Sequence, residues 1–249
     1  VSSETSDHVR AARVDLAAAH RLAVRDGMSE GTWSHLTLIH PEEPERMLMT
    51  PPYWHWSQVT ASSLVDCGPE FDENGAADIS YRIHYPVHAA RPDAACVLHV
   101  HSPALTSFSL LEEPLPRMVD QNALYFMDRI AVTEEFDGLE DANQDQGKVM
   151  VEALGDRATI LILRNHGVVV TGSSVANAYV ELYLLERTCA AQLRAMATGL
   201  PLNELTDEQL QRFQAHHKVD MENNGLSDWT PYFEGMKRVV DVAEPDYRN

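Results

Sequence analysis

The segment VLHVHSP places His99 and His101 two residues apart at the end of an apolar run. Side chains two apart on a strand project from one face, so both imidazoles can meet a single ion, at about 2.0–2.1 Å if that ion is zinc. For a lone histidine, a satisfied polar side chain at a strand end is the plainer reading; an H-x-H pair after a hydrophobic strand favours a metal. The segment LILRNHGVVV brings His166 to the end of a second apolar run, in a turn where Gly167 permits close backbone approach. NHG alone says little. Joined to the earlier pair it describes three imidazoles with an open coordination position, the mark of a catalytic rather than a structural metal.

His35, His55, His84 and His88 are candidates for proton transfer, since imidazole titrates near neutrality. His35 stands out because its loop, GTWSHLTL, is expected to face the metal, and His84 is the next choice. His88 is expected to be buried and structural, and His216 and His217 a solvated helix pair. Arg91 and Arg164 could grip a carboxylate by a bidentate fork, although structural ion pairs explain both equally well. The run Tyr53, Trp54, Trp56 is dense in aromatics for a chain with 4 tryptophans, and serves either as core or as pocket wall.

Several elements must position these residues. Val9, Ala12, Leu16 and Ala19 at helical spacing predict an opening helix over 7–26. Residues 36–39 and 47–50 read as short strands around the charged turn PEEPER, and 66–78 as a Gly- and acid-rich loop. A helix over 81–90 ends before Pro92. Residues 94–100 and 158–164 are buried-type strands, with helices expected at 122–129 and 145–154 between them. A short strand at 168–171 precedes a long helix capped by Ser173 or Ser174. Its apolar stripe is Val175, Tyr179, Leu182, Leu185, Cys189, Leu193 and Met196, and Gly199 and Pro201 end it. Thr206 opens a polar helix, and the last thirty residues carry Trp229, Tyr232, Phe233 and Tyr247, which should pack on something. No repeat or low-complexity linker divides the chain, so one α/β domain with helices on both sides of a mixed sheet is expected.

Composition narrows the partners. The chain has 249 residues, 44% hydrophobic and 23% charged, with a formal charge of -19 at pH 7. That charge repels phosphate backbones and anionic lipid, which argues against nucleic acid and membrane. No apolar stretch approaches the roughly 20 residues needed to span a bilayer, and the N-terminal residues do not read as a signal peptide, so a cytoplasmic location is expected. Cys67, Cys96 and Cys189 are odd in number and widely spaced, as expected of reduced, buried thiols.

The runs HAARPDAACVLHVHSPALTSFS and RNHGVVVTG, followed by ANAYVELYLLERTCAAQL, resemble the class II aldolase/adducin head domain over roughly residues 12–199. The resemblance implies a three-layer fold with a central mixed, mainly antiparallel sheet, and a divalent metal on His99, His101 and His166. It also implies a homo-oligomer, most often a cyclic tetramer, with the helical tail over 200–249 at an interface. Two departures bear on chemistry. Where the family's sugar-phosphate aldolases carry S-S-E, spacing from His84 and Arg91 puts Ser80, so the usual glutamate base is missing; an alignment slip of two would bring in Asp78. Where they carry a small-residue phosphate loop, this chain has Trp33 and His35.

The resulting expectation is a metal-dependent lyase, by aldol cleavage or decarboxylation, acting on a non-phosphorylated 2-oxo or hydroxy acid. The metal would be zinc or Fe(II), with Mn or Co possible; His35 and His84 are the acid/base candidates, and Trp33, Trp54 and Ser80 line the pocket. An alternative is a non-haem Fe(II) oxygenase of aromatic 2-oxo or hydroxy acids, similar to enzymes of aminocoumarin biosynthesis. A further alternative is a non-catalytic, adducin-like binding module.

Overall fold

Seven short apolar segments line up because each has a face to bury. The computed structural model describes residues 6–68, 76–133, 146–224 and 228–249, without the side chains of 76–79 and 217–224. The strands are β1 (His35–Ile39), β2 (Met47–Met49), β3 (Val65–Cys67), β4 (Cys96–Val100), β5 (Ile130–Val132), β6 (Ile160–Leu163) and β7 (Gly167–Gly172). They form one sheet in the order β3-β2-β1-β4-β7-β6-β5. All neighbours pair antiparallel except β5 and β6, so the sheet is mixed and mainly antiparallel.

Strand alternation sorts the side chains onto two faces. Leu36, Leu98, Val100, Ile160, Ile162, Val168 and Val170 meet helices α1 (Asp7–Arg25), α3 (Pro103–Ser109), α5 (Val175–Met196) and α7 (Thr230–Ala243). Val97, Leu161, Leu163 and Val169 face the opposite way, onto Ile83 and Val87 of α2 (Ala76–Ala90) and Met150 and Leu154 of α4 (Gln146–Leu154). Each such aliphatic side chain contributes about 1.5–3 kcal/mol when fully buried. Leu98 and Val169, at the sheet's centre, are wholly buried. His35 and Thr37 of β1 and His99 of β4 share the face turned toward α2, and this places polar chemistry under a helix that itself carries histidines.

Local chemistry explains the boundaries. Ser6 caps α1 by accepting from the Val9 N–H, and Ser174 caps α5 by accepting from the Asn177 N–H. Pro86 stands inside α2 and contributes no N–H to the helix ladder. At that point α4 comes within backbone contact: a Cβ on Gly147 would lie 2.5 Å from the Arg82 carbonyl oxygen and 2.5 Å from Pro86 Cγ. Only a glycine lets α4 close on α2 there.

Several expectations change. Residues 122–129 hold one 3-10 turn, Ala123–Phe126, instead of a helix; Asp128 takes a left-handed φ of 60°, and β5 follows. Part of the expected loop over 66–78 is strand β3, residues 69–75 of it lie outside the described residues, and α2 begins at Ala76 rather than Tyr81. Helix α3 was not anticipated. Beyond Pro201, α6 (Asp207–Asn224) and α7 form as expected, but α7 packs on α1 and α5 of its own chain, burying Phe233 and Val240. Arg21 pairs with Glu244 and Asp246, fastening the C-terminal turn to α1. The outward side of α7 leaves Tyr232, Val239 and Val242 exposed.

Candidate metal centre

His99 sits on β4 directly opposite His35 of β1 and Val169 of β7, so the sheet register alone brings three strands to the site. His101 follows β4 by one residue, and His166 occupies the tight turn between β6 and β7, after Asn165 at φ 56°. The turn closes tightly because Gly167 has no side chain: a Cβ would fall 2.6 Å from the Val100 carbonyl oxygen and 2.8 Å from His101 Cδ2. On the far side of His101, α3 starts under the Glu186 carboxylate, which accepts from Ser102 Oγ and from the Ala104 and Leu105 N–H groups at 2.8–3.0 Å. These contacts pin both ends of the H-x-H segment.

The ligand nitrogens of His99, His101 and His166 all lie within 4.8 Å of one another. Two of the three rings have their tautomers set by their partners. His99 Nδ1 donates to the Val168 carbonyl at 3.1 Å, and His101 Nδ1 donates to the Glu30 carboxylate at 2.5 Å. In the neutral rings each Nε2 is then a lone pair, and the two Nε2 atoms are 3.1 Å apart. Two lone pairs that close repel unless a cation lies between them, so the donor set fits a metal ion. Burial, then the neighbouring His35, His101 and His166, pushes His99 well below the usual imidazole pKa; burial and His101 push His166 down. Neutral imidazole is the form that ligates.

A second row of histidines lies behind. His35 Nδ1 is 2.6 Å from His84 Nε2, and its ring centroid is 5.0 Å from that of His99. Burial, followed by His101 and His166, pushes the His35 pKa down to about 3. His84 is fully buried beneath His35, with Nδ1 2.6 Å from Thr37 Oγ1, and Thr37 Oγ1 is 2.9 Å from His88 Nε2. Of the two acid/base candidates, His35 stands next to His99, and His84 is hydrogen-bonded to His35 from behind.

The expected pocket residues separate. Trp33 is 71% exposed and Trp54 45% exposed, on the loops before β1 and after β2. Ser80 is buried in α2, and the side chain of Asp78 lies outside the described residues. Trp56 is not a pocket wall: it is wholly buried, edge-on to His20 at 5.1 Å. His55 caps the short helix Trp56–Gln58. Arg91 is spent on Asp93 and the Gly155 and Ala158 carbonyls, and Arg164 on the Thr133 and Glu112 carbonyls. His216 is exposed, and the side chain of His217 lies outside the described residues.

Glu30, Thr37 and Glu186 were missed as site residues, whereas His88 was expected to be buried and structural, and it is buried. Thr37 was within reach of sequence reasoning, since it lies two residues after His35 on the same strand face.

Residues 14–193 match the Class II Aldolase and Adducin N-terminal domain. A putative aldolase class 2 protein of Caulobacter vibrioides is 32% identical over 241 residues, covering 95% of this chain and 91% of that protein. Alpha-adducin of Mus musculus is 34% identical over 195 residues, 75% of this chain, but the chain spans only about a quarter of that adducin (26%). Among solved structures, an aldolase II superfamily protein from Pseudomonas syringae superposes with a TM-score of 0.87 at 27% identity, covering 99% of this chain and 98% of its own. The L-fuculose 1-phosphate aldolase of Glaciozyma antarctica shares the fold with a TM-score of 0.81 at 22% identity, covering 99% and 97%. With its mixed seven-stranded sheet, its flanking helices and the match over residues 14–193, the chain belongs to the class II aldolase/adducin family.

Proposed function

We propose that this chain is a divalent-metal-dependent lyase that cleaves a carbon–carbon bond, by aldol cleavage or decarboxylation, in a non-phosphorylated 2-oxo or hydroxy acid. The observation that carries this reading is the His99–His101 pair, whose two Nε2 lone pairs converge at 3.1 Å beside His166. Bound there, zinc, Fe(II), manganese or cobalt would supply Lewis-acid polarisation of a carbonyl or carboxylate oxygen. The chain's own residues do the rest. Glu30 and the Val168 carbonyl hold two of the rings in ligating orientation, and His35 stands beside the centre, neutral, with Nδ1 occupied by His84. With Ser80 in place of a glutamate, His35 is the group positioned to take a proton from a ligand. Trp33, exposed two residues before His35, leaves an indole where an anion cradle would need small residues.

The same donor set suits Fe(II), so oxygenase chemistry on an aromatic acid is the second reading, favoured by the exposed Trp33, Tyr53 and Trp54. A non-catalytic scaffold is the third, motivated by the likeness to alpha-adducin. One experiment separates them. Purified protein is loaded anaerobically with zinc or Fe(II), its metal content measured, and a panel of 2-oxo and 2-hydroxy acids assayed with and without oxygen. The lyase reading expects about one ion per chain and oxygen-independent release of a carbonyl fragment or CO2. Turnover only with Fe(II) and stoichiometric oxygen uptake supports the oxygenase. Failure to bind metal leaves the scaffold.

A further inference from the structure

The four side chains behind the metal centre form a continuous hydrogen-bonded row, and its polarity can be worked out from its inner end. His88 Nδ1 lies 2.6 Å from the Ala94 carbonyl oxygen. A carbonyl only accepts, so His88 Nδ1 carries the proton, and Nε2 of the neutral ring is an acceptor. Thr37 Oγ1, 2.9 Å away, can donate to it and has the Val97 carbonyl at 3.3 Å as a second acceptor. His88 Nε2 has no other donor among the described residues, so the hydroxyl proton goes to it, and the Thr37 oxygen accepts from His84 Nδ1 at 2.6 Å. His84 Nε2 is therefore a lone pair, and His35 Nδ1, at 2.6 Å, must be its donor. The remaining nitrogen of His35, Nε2, has no hydrogen-bond partner among the described residues.

Among the described residues no carboxylate stabilises a charged imidazole in this row, and burial holds His84 well below its usual pKa and His88 down at about 4, so the rings are neutral. The row is also not a proton conduit. Its inner end is two backbone carbonyls, which cannot take a proton onward. Its effect is orientation.

We infer that His84, braced by Thr37 and His88, is a positioning residue that locks His35 as the Nδ1–H tautomer, so that His35 Nε2 meets the bound ligand as an acceptor and selects a ligand hydroxyl over a second carboxylate. The ligand half of this inference rests on the metal reading above; the tautomer half does not. A 2-hydroxy acid fits: its carboxylate has the metal centre, and its hydroxyl hydrogen has His35. A dicarboxylate would aim a second anion at a lone pair, which is repulsive.

The test begins with metal-free protein labelled with [15N]histidine. Long-range 1H–15N correlation spectra distinguish the two neutral tautomers, and His35→Gln, His84→Gln and His88→Gln spectra assign the rings. Wild type should show His35, His84 and His88 all protonated on Nδ1. In His84→Leu, which removes the acceptor, His35 should lose the Nδ1–H pattern, whereas His84→Gln, whose amide oxygen can still accept, should keep it. An Nε2–H tautomer at His35 in folded wild type, or an unchanged one in His84→Leu, overturns the inference whatever the metal result. In zinc-loaded protein, glycolate and oxalate are then the probes. The preference for glycolate relative to oxalate should fall about tenfold in His84→Leu and much less in His84→Gln, the size expected for one hydrogen bond. An unchanged ratio overturns the ligand half. Failure of zinc to bind, with the tautomers as expected, overturns the metal reading and the ligand half, and leaves the locked tautomer standing.

Discussion

Glu30 Oε2 lies 2.5 Å from Nδ1 of His101, a carboxylate–imidazole contact that turns the other nitrogen of the ring toward His99. Such a partner fixes the tautomer of a metal-ligating histidine and raises its basicity, and its loss commonly costs about 10–100-fold in metal affinity. Glu30 is largely exposed, so Glu30→Ala should weaken zinc binding by that factor while leaving thermal unfolding of the metal-free protein nearly unchanged. Competition with a chromophoric chelator measures the first and calorimetry the second. Unaltered affinity would show that the contact is an ordinary surface ion pair.

Two glycines give opposite expectations. At Gly167 a Cβ meets the Val100 carbonyl oxygen at 2.6 Å and the His101 ring at 2.8 Å, so Gly167→Ala must push strand and ligand apart. We expect a loss of about 1–3 kcal/mol of stability from overpacking, together with weakened metal binding. Gly235 lies within α7 with nothing within 4 Å of its added Cβ, and Gly235→Ala should stabilise by about 0.4–1 kcal/mol through the unfolded chain, with metal binding untouched. Urea unfolding and metal titration of the two variants check both signs.

His20 supplies a pH dependence away from the metal. It is wholly buried, with Nδ1 on the Leu16 carbonyl and Nε2 on Thr50 Oγ1; burial, against that carbonyl and with a smaller push from Arg21, lowers its pKa from 6.5 to about 4. Between those values the unfolded chain binds a proton that the folded one does not, so stability is present above pH 6.5 and lost as the pH falls toward 4. For this group the loss from pH 7 to pH 5 is on the order of 2 kcal/mol. His20→Gln should be less stable at pH 7 but show a smaller fall to pH 5. An identical fall in both proteins would assign the acid sensitivity elsewhere.

What was legible in the sequence follows from which signals are local. The three candidate metal ligands could be read because each stands at or just past the end of an apolar strand, and extended backbone continued one residue beyond β4 puts His99 and His101 on one side. The long α5 stripe was equally plain. Strands β3 and β5, three residues each, are too short to show a period and exist only through their neighbours β2 and β6. Glu30 and Glu186 carry no motif; they matter because tertiary closure brings them to His101 and to the start of α3, 71 and up to 84 residues away in the chain. The His84–His88 pair was visible as one helix face, but its meaning depends on Thr37, which β1 carries beneath it.

The remaining prediction concerns what the site accepts. The turn from Glu30 to His35 supplies a ligand-orienting carboxylate, the Trp33 indole, the Ser34 hydroxyl that accepts from the His101 N–H at 3.4 Å, and the His35 imidazole. None of these is a cation, and the whole chain carries a formal charge of -19. A sugar phosphate would bring its dianion to a surface that repels it, with Arg91 and Arg164 already committed to protein groups. A 2-hydroxy or 2-oxo acid with an aromatic body instead has one carboxylate for the metal centre and a ring for the exposed indole. Trp33→Ala should then weaken an aryl 2-oxo acid such as phenylpyruvate by roughly 0.5–1.5 kcal/mol beyond the lost area, and leave zinc stoichiometry unchanged. Isothermal titration of the zinc-loaded protein reads both quantities. Micromolar binding of ribulose- or fuculose-type phosphates, with no response to aryl acids in either protein, would reverse the substrate assignment while leaving the three-histidine centre as it stands.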